Sequence, residues 1–221
     1  MPNLETFIEA IKQGNRQTVS QLLSAQADLA NAHTPEGLSA VLLATYYGQP
    51  EIVRLIVEHG ANLNLFEAAS VGQLDTVKSI LSAQPDLVNS YAPDGFYPLG
   101  LAAFFGHTQI VSYLLDQGAD VHQTARNTQR VNALHAASAN RHLDICRMLI
   151  ERGIDVNARQ EGGFTPLQAA AQNGQIELVE LLLKHGADAS VQNDDGQTAL
   201  DMARVHNHLD VAQRLENAMQ T

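Results

Sequence analysis

Residues 92–122, APDGFYPLGLAAFFGHTQIVSYLLDQGADVH, set two narrow apolar faces between three polar breaks. Leu99, Leu101, Ala102 and Ala103 predict a short first helix whose alanines let a neighbour approach closely. Gly106 and His107 interrupt it. Ile110, Val111, Leu114 and Leu115 then recur at i, i+1, i+4 and i+5, the stripe of a second helix. Gly118 is placed for a left-handed C-terminal cap, and Pro93, Asp94 and Gly95 supply turn chemistry ahead of the first helix. A turn and two helices with faces this narrow cannot bury themselves. They need copies stacked against them.

The copies are present. Gly60, Ala61 and Asn62, and Gly186, Ala187 and Asp188, repeat the exit from the second helix, and Gly153, Ile154 and Asp155 vary it. Phe164 to Leu167, Asn132 to His135 and Gln197 to Leu200 repeat the entry to the first. Interhelix turns at Gly14, Gly48, Gly72, Gly106, Arg141, Gly174 and Asn207 lie 34, 24, 34, 35, 33 and 33 residues apart. The one short interval predicts that the third repeat has no tip. Repeats are expected at about 4–33, 34–64, 65–91, 92–122, 123–159, 160–192 and 193–217, as one domain over 1–221. Residues 7–64 also align without a gap on 65–122, with 21 identities at a constant shift of 58. That reads as a duplicated two-repeat unit.

These entry and exit residues resemble the ankyrin repeat, whose consensus is close to G-x-T-P-L-H-x-A-A-x-x-G-H-x-x-(V/I)-V-x-x-L-L-x-x-G-A-D-x-N. The resemblance covers nearly the whole chain. It implies an all-α ankyrin-repeat solenoid of about seven stacked helix pairs with short β-hairpin tips, the tip before repeat three being absent. Two positions depart from the pattern: Arg130 and its neighbours replace the usual tip, and Arg141 stands where the interhelix turn has Gly. If that turn needs positive φ, a non-Gly residue costs about 1 kcal/mol, and a compensating side-chain contact is expected. Asn207 tolerates the same conformation better. Gln213, Arg214, Glu216 and Asn217 give repeat seven the polar outer face of a terminal cap.

Charge narrows the partners. Thirteen Lys and Arg against 24 Asp and Glu give a net charge of −11, which repels a phosphate backbone, so neither nucleic acid nor an anionic membrane is expected. No stretch reaches the roughly 20 apolar residues of a membrane helix, and the first residues lack a signal-peptide pattern. One cysteine fits a reducing compartment, so a cytoplasmic monomer is expected.

Chemistry is sparse. His135 falls at the consensus T-P-L-H position, where the resemblance implies bonds to neighbouring backbone, and His107 and His142 fall at the G-H turn. His142 and Cys146 are four apart, and His206, His208 and Asp210 are close in sequence, but structural zinc wants four ligands and residues two apart on a helix do not face each other. No phosphate loop, H-E-x-x-H, Cys-x-x-Cys or nucleophile elbow occurs. A non-enzyme without cofactor or metal is expected.

The resemblance assigns the residue after each tip glycine, and the two before each interhelix turn, to a concave binding surface. Here these are Leu38, Tyr46, Tyr47, Val71, Phe96, Phe104 and Phe105, with Arg130 and Asn140 farther along. Aromatics are 5% of the chain, yet paired aromatics precede both Gly48 and Gly106. Two aromatic walls beside the tip-less repeat are expected to form a groove for an apolar anchor. The alternative is that one ring of each pair packs between repeats. The expected function is a non-catalytic scaffold binding a protein or peptide. A small-molecule or metal-binding module, or a regulatory subunit of a separate enzyme, is the alternative.

Overall fold

The computed structural model describes residues 2–220, which form fourteen α-helices and, among the described residues, no β-strand. The helices fall into seven pairs: α1 (Pro2–Lys12) with α2 (Arg16–Ala25), α3 (Ala40–Tyr46) with α4 (Pro50–Glu58), and α5 (Leu65–Val71) with α6 (Leu74–Ala83). There follow α7 (Pro98–Phe104) with α8 (Thr108–Asp116), α9 (Ala133–Ala139) with α10 (Leu143–Glu151), α11 (Pro166–Gln172) with α12 (Ile176–Lys184), and α13 (Ala199–Val205) with α14 (Leu209–Ala218). The chain divides into two compact units, the first ending at Ile80 and the second beginning at Leu81.

In the first unit α1 packs on α3, α3 on α5, and α2 on α4. Its core is Phe7, Ile11, Val19, Leu23, Val41, Leu43, Ile52 and Ile56, with Ala10, Ala40 and Ala44 where helices approach most closely. Burying each large side chain contributes about 1.5–3 kcal/mol. Short helices of seven residues have little stability alone, so this packing is what holds them.

The second unit, taken by itself, has the same arrangement. First helices pack in the series α7, α9, α11, α13, and second helices in the series α8, α10, α12, α14. Ala102, Ala103, Ala136, Ala137, Ala170, Ala171 and Ala203 are buried along the first series, and Ile110, Leu114, Ile145, Leu149, Leu178, Leu182, Val211 and Leu215 along the second.

The tips are tighter than hairpins with strands. Four of them close on a short pair of backbone bonds, the outer one running from Thr34 N–H to the Leu38 carbonyl (2.7 Å), Ala92 to Phe96 (2.8 Å), Gln160 to Phe164 (3.0 Å) and Asn193 to Gln197 (3.0 Å), and the inner one from Gly37, Gly95, Gly163 and Gly196 N–H back to the first residue's carbonyl. Isolated bridges join His33 to Ser39 and Thr124 to Asn132. Side-chain caps then start the first helices: Ser39, Asn132, Thr165 and Thr198 each accept from a backbone N–H three residues on. No tip lies between α4 and α5. Asn64 caps α5 directly, in a reciprocal capping box with Glu67.

The shift of 58 reappears in the coordinates: α2, α3 and α4 map residue for residue onto α6, α7 and α8. The 3-10 turns Ala27–Asn31 and Pro85–Asn89 match likewise, each following a second helix that ends without Gly-Ala-Asp. Asn31 donates to the Gly60 carbonyl and accepts from Asn62 N–H; Asn89 does the same with Gly118 and Asp120, and Asn157 with Gly186 and Asp188. One asparagine thereby ties each of these exits to the next.

Repeat seven exposes the polar Gln213 and Asn217, and also Val205 and Leu209. Its outer face is therefore mixed rather than wholly polar.

Candidate functional site

Three of the nominated aromatics stand out from a chain whose other large apolar side chains are mostly buried. Tyr46 and Tyr47 are 39% and 50% exposed at the end of α3, and Phe104 is 44% exposed at the end of α7. Phe105 is half-buried and meets Phe104 edge-on, with centroids 4.9 Å apart at 74°. That geometry is favourable for two rings and fixes the pair as a unit. The helices place them there because Tyr47 and Phe105 are C-caps, whose backbone N–H groups still bond Leu43 and Leu101.

Of the remaining nominated residues, all but Arg130 are less available. Leu38 and Val71 are half-buried against the core of the first unit. Phe96 is half-buried, its N–H held by the Asp94 carboxylate at 3.2 Å. Asn140 is half-buried and donates to the Ala136 carbonyl of its own helix (2.9 Å). Arg130 is exposed, with φ at 50°.

The interhelix turns are cross-linked in a way the sequence reading noticed only at the histidines. His142 Nε2 lies 3.1 Å from the Phe104 carbonyl, Gln175 donates to the Ser138 carbonyl (2.7 Å), and His208 Nε2 lies 3.1 Å from the Gln172 carbonyl. Arg141, at φ 64°, donates from its guanidinium to the Asn173 carbonyl, the compensating contact expected for its strained backbone. Asn173 in turn donates to the Ala139 carbonyl at 3.3 Å. The signal available in sequence was the run of Gln or His one residue after each turn from Gly48 onward.

Two groups with catalytic potential, His135 and Cys146, are buried in the core. His135 is buried, with Nδ1 2.7 Å from Asn132 Oδ1 and Nε2 3.2 Å from the Phe164 carbonyl. Desolvation pulls its imidazole down to about 4, against the pull of the Phe164 and Ala158 carbonyls. Burial pushes the Cys146 thiol up to about 11, so it is a core side chain rather than a nucleophile. Among the described residues no three His, Cys, Asp or Glu side chains cluster as metal ligands, and no helix is long and apolar enough to cross a membrane. A cavity of about 540 Å³ opens beside Lys184, Asp188, Arg214 and Asn217, away from every nominated residue.

Seven helix pairs, five of them entered through a tip, with asparagine ties and turn-to-turn bonds within one unit or the other, define a helical repeat protein whose exposed special residues lie at tips and helix ends. Family profiles described as ankyrin repeats match residues 36–67, 65–160 and 149–203. The chain belongs to the ankyrin-repeat family. It is 29% identical over 171 residues to the fowlpox virus ankyrin repeat protein FPV014, covering 72% of this chain and 38% of that protein. It is 31% identical over 128 residues to human ankyrin repeat and KH domain-containing protein 1, covering 58% of this chain and 4% of that protein. Against mouse ankyrin repeat and SAM domain-containing protein 6 it is 33% identical over 102 residues, 46% of this chain and 11% of that protein. The chain thus spans well under half the length of these relatives. Ankyrin repeats generally mediate protein–protein interaction, and the family is typically non-enzymatic.

Proposed function

We propose that this chain is a non-catalytic module that binds a protein or peptide segment through its tips and first-helix ends. The observation that carries the reading is the exposure of Tyr46, Tyr47 and Phe104 in a chain with 5% aromatic residues. Rigid aromatic side chains on fixed helix ends lose little entropy on docking and are enriched at interface cores. The net charge of −11 favours, at long range, a segment that is basic or neutral overall and carries an apolar anchor. The single cysteine, free and buried, supports a reducing compartment such as the cytoplasm for this module.

The test is binding of the full chain to an array of short synthetic peptides, each with a Phe or Leu anchor. Tyr47→Ala and Phe104→Ala, measured separately, are expected to weaken binding by about 1–3 kcal/mol while changing stability by less than about 1 kcal/mol. Unchanged binding by both variants removes the aromatic anchors from the reading; unfolding by either makes that ring framework.

A further inference from the structure

The tip of repeat five differs from the rest of its series in length, charge and backbone strain. It is closed by a bond from Ala125 N–H to the Val131 carbonyl (2.9 Å), spanning two residues more than each of the other tips. Those tips carry Glu36 with Gly37, Asp94 with Gly95, Glu161 with Gly162, and Asp195 with Gly196. Repeat five instead brings two arginines, Arg126 and Arg130, and its positive-φ position is Arg130 at 50°.

Among the described residues, three non-glycine residues adopt positive φ. Arg141 recovers the penalty through its bond to Asn173, and Asn tolerates the conformation at position 207. Arg130 recovers nothing. Its side chain is exposed and, among the described residues, makes no ion pair or hydrogen bond within the chain. Strain kept where the fold does not use it points to function.

Arg126 is already arranged to present its guanidinium. It lies 3.9 Å above the Tyr91 ring, and the Tyr91 hydroxyl is tied to the Thr124 carbonyl (3.1 Å). This cation–π contact holds the guanidinium over the ring, where its N–H donors can meet a planar, bidentate acceptor. The loop beneath is pinned on both sides: Arg126 N–H donates to the Gly95 carbonyl (2.9 Å), Asn127 to the Asp94 carbonyl (3.3 Å), and Glu161 N–H to the Gln129 carbonyl (3.0 Å). Asp94 and Glu161 stand on the tips that flank the loop.

We infer that the repeat-five tip is a carboxylate-recognition site, in which Arg126 and Arg130 receive an Asp or Glu side chain of the bound protein segment. This rests on the reading that the chain binds such a segment, and adds the chemistry of one contact point. A nucleic acid is the poorer occupant, because a phosphate backbone would run over the acidic tips on either side and a chain of net charge −11. The long-range preference for a basic segment is not in conflict. Exposed charges are screened beyond about 10 Å, whereas the tip acts at contact.

The experiment uses the full chain and anchor-bearing peptides in three matched sets, with Asp and Glu, with Asn and Gln, or with Lys at the same positions. Wild type is expected to prefer the acidic set over its amide isosteres by about threefold to tenfold per arginine engaged. Arg130→Gln is expected to reduce that preference, and Arg126→Gln with Arg130→Gln to abolish it. Arg130→Gly is expected to weaken acidic-set binding while raising the melting temperature by about 2–4 °C through relief of the backbone. Binding with no acidic preference overturns the inference and leaves the binding-module reading standing, as does a preference that survives the double variant. A melting temperature that fails to rise in Arg130→Gly removes the strain on which the inference stands. No binding to any set overturns both readings together.

Discussion

Arg141 and Arg130 occupy the same left-handed region of backbone space but use their side chains differently. For Arg141 the fold itself supplies the return, through the Asn173 carbonyl. Arg141→Ala keeps the strained backbone and loses the bond, so a cost of about 1–2 kcal/mol is expected; Arg141→Gly loses the bond but relieves the strain and is expected to fall within about 0.5 kcal/mol of wild type. Chemical denaturation of the two variants side by side checks this. Buried His135 gives a pH dependence with a definite sign. Its folded-state value of about 4 lies below the ordinary 6.5, so between those values the unfolded chain binds the extra proton. Stability from this group is full above about pH 6.5 and falls as pH drops toward 4, with a slope of at most about 1.4 kcal/mol per pH unit. Replacing His135 by Gln is expected to flatten that segment of the stability–pH curve, measured by urea unfolding at each pH.

At the scale of elements, the turns between paired helices hold one repeat to the next. A Cβ on Gly106 would sit 2.6 Å from the His142 ring, and one on Gly118 would meet no atom within 4 Å, although both residues have positive φ, 81° and 85°. Gly118→Ala is therefore expected to cost about 1 kcal/mol, the backbone term alone, and Gly106→Ala about 1 kcal/mol or more beyond that. Adding His142→Ala should restore part of the difference, and a double-mutant cycle isolates it. Agreement of the two single variants would mean the ring moves aside at no cost. The asparagine ties act between elements as well. Asn89→Ala and Asn157→Ala each remove two hydrogen bonds to the following exit and are expected to cost about 1–2 kcal/mol.

At the scale of the whole molecule, stability is assembled from contacts between neighbouring helix pairs. In the second unit α9 is packed between α7 and α11, and α11 between α9 and α13, whereas α14 packs on α12 and α13. Native-state hydrogen exchange is expected to find the α9 and α11 amides the slowest of that unit and the α14 amides appreciably faster. Uniform protection across the unit would show a single cooperative core instead.

Periodicity alone determined the helix pairs, their number, the missing tip before repeat three and the positive-φ turns, because local propensity and the spacing of small and apolar residues act over a few residues. The tie made by Asn89, the turn-to-turn bonds of His142 and Gln175, and the stacking of Arg126 on Tyr91 were decided by the fold. Each joins residues about 30 or more apart in the chain, and a sequence pattern carries no distance across such a gap. The same holds for exposure. Tyr47 and Phe105 occupy matching positions, but one ring stands half in solvent while the other leans on its neighbour, and only packing separates them.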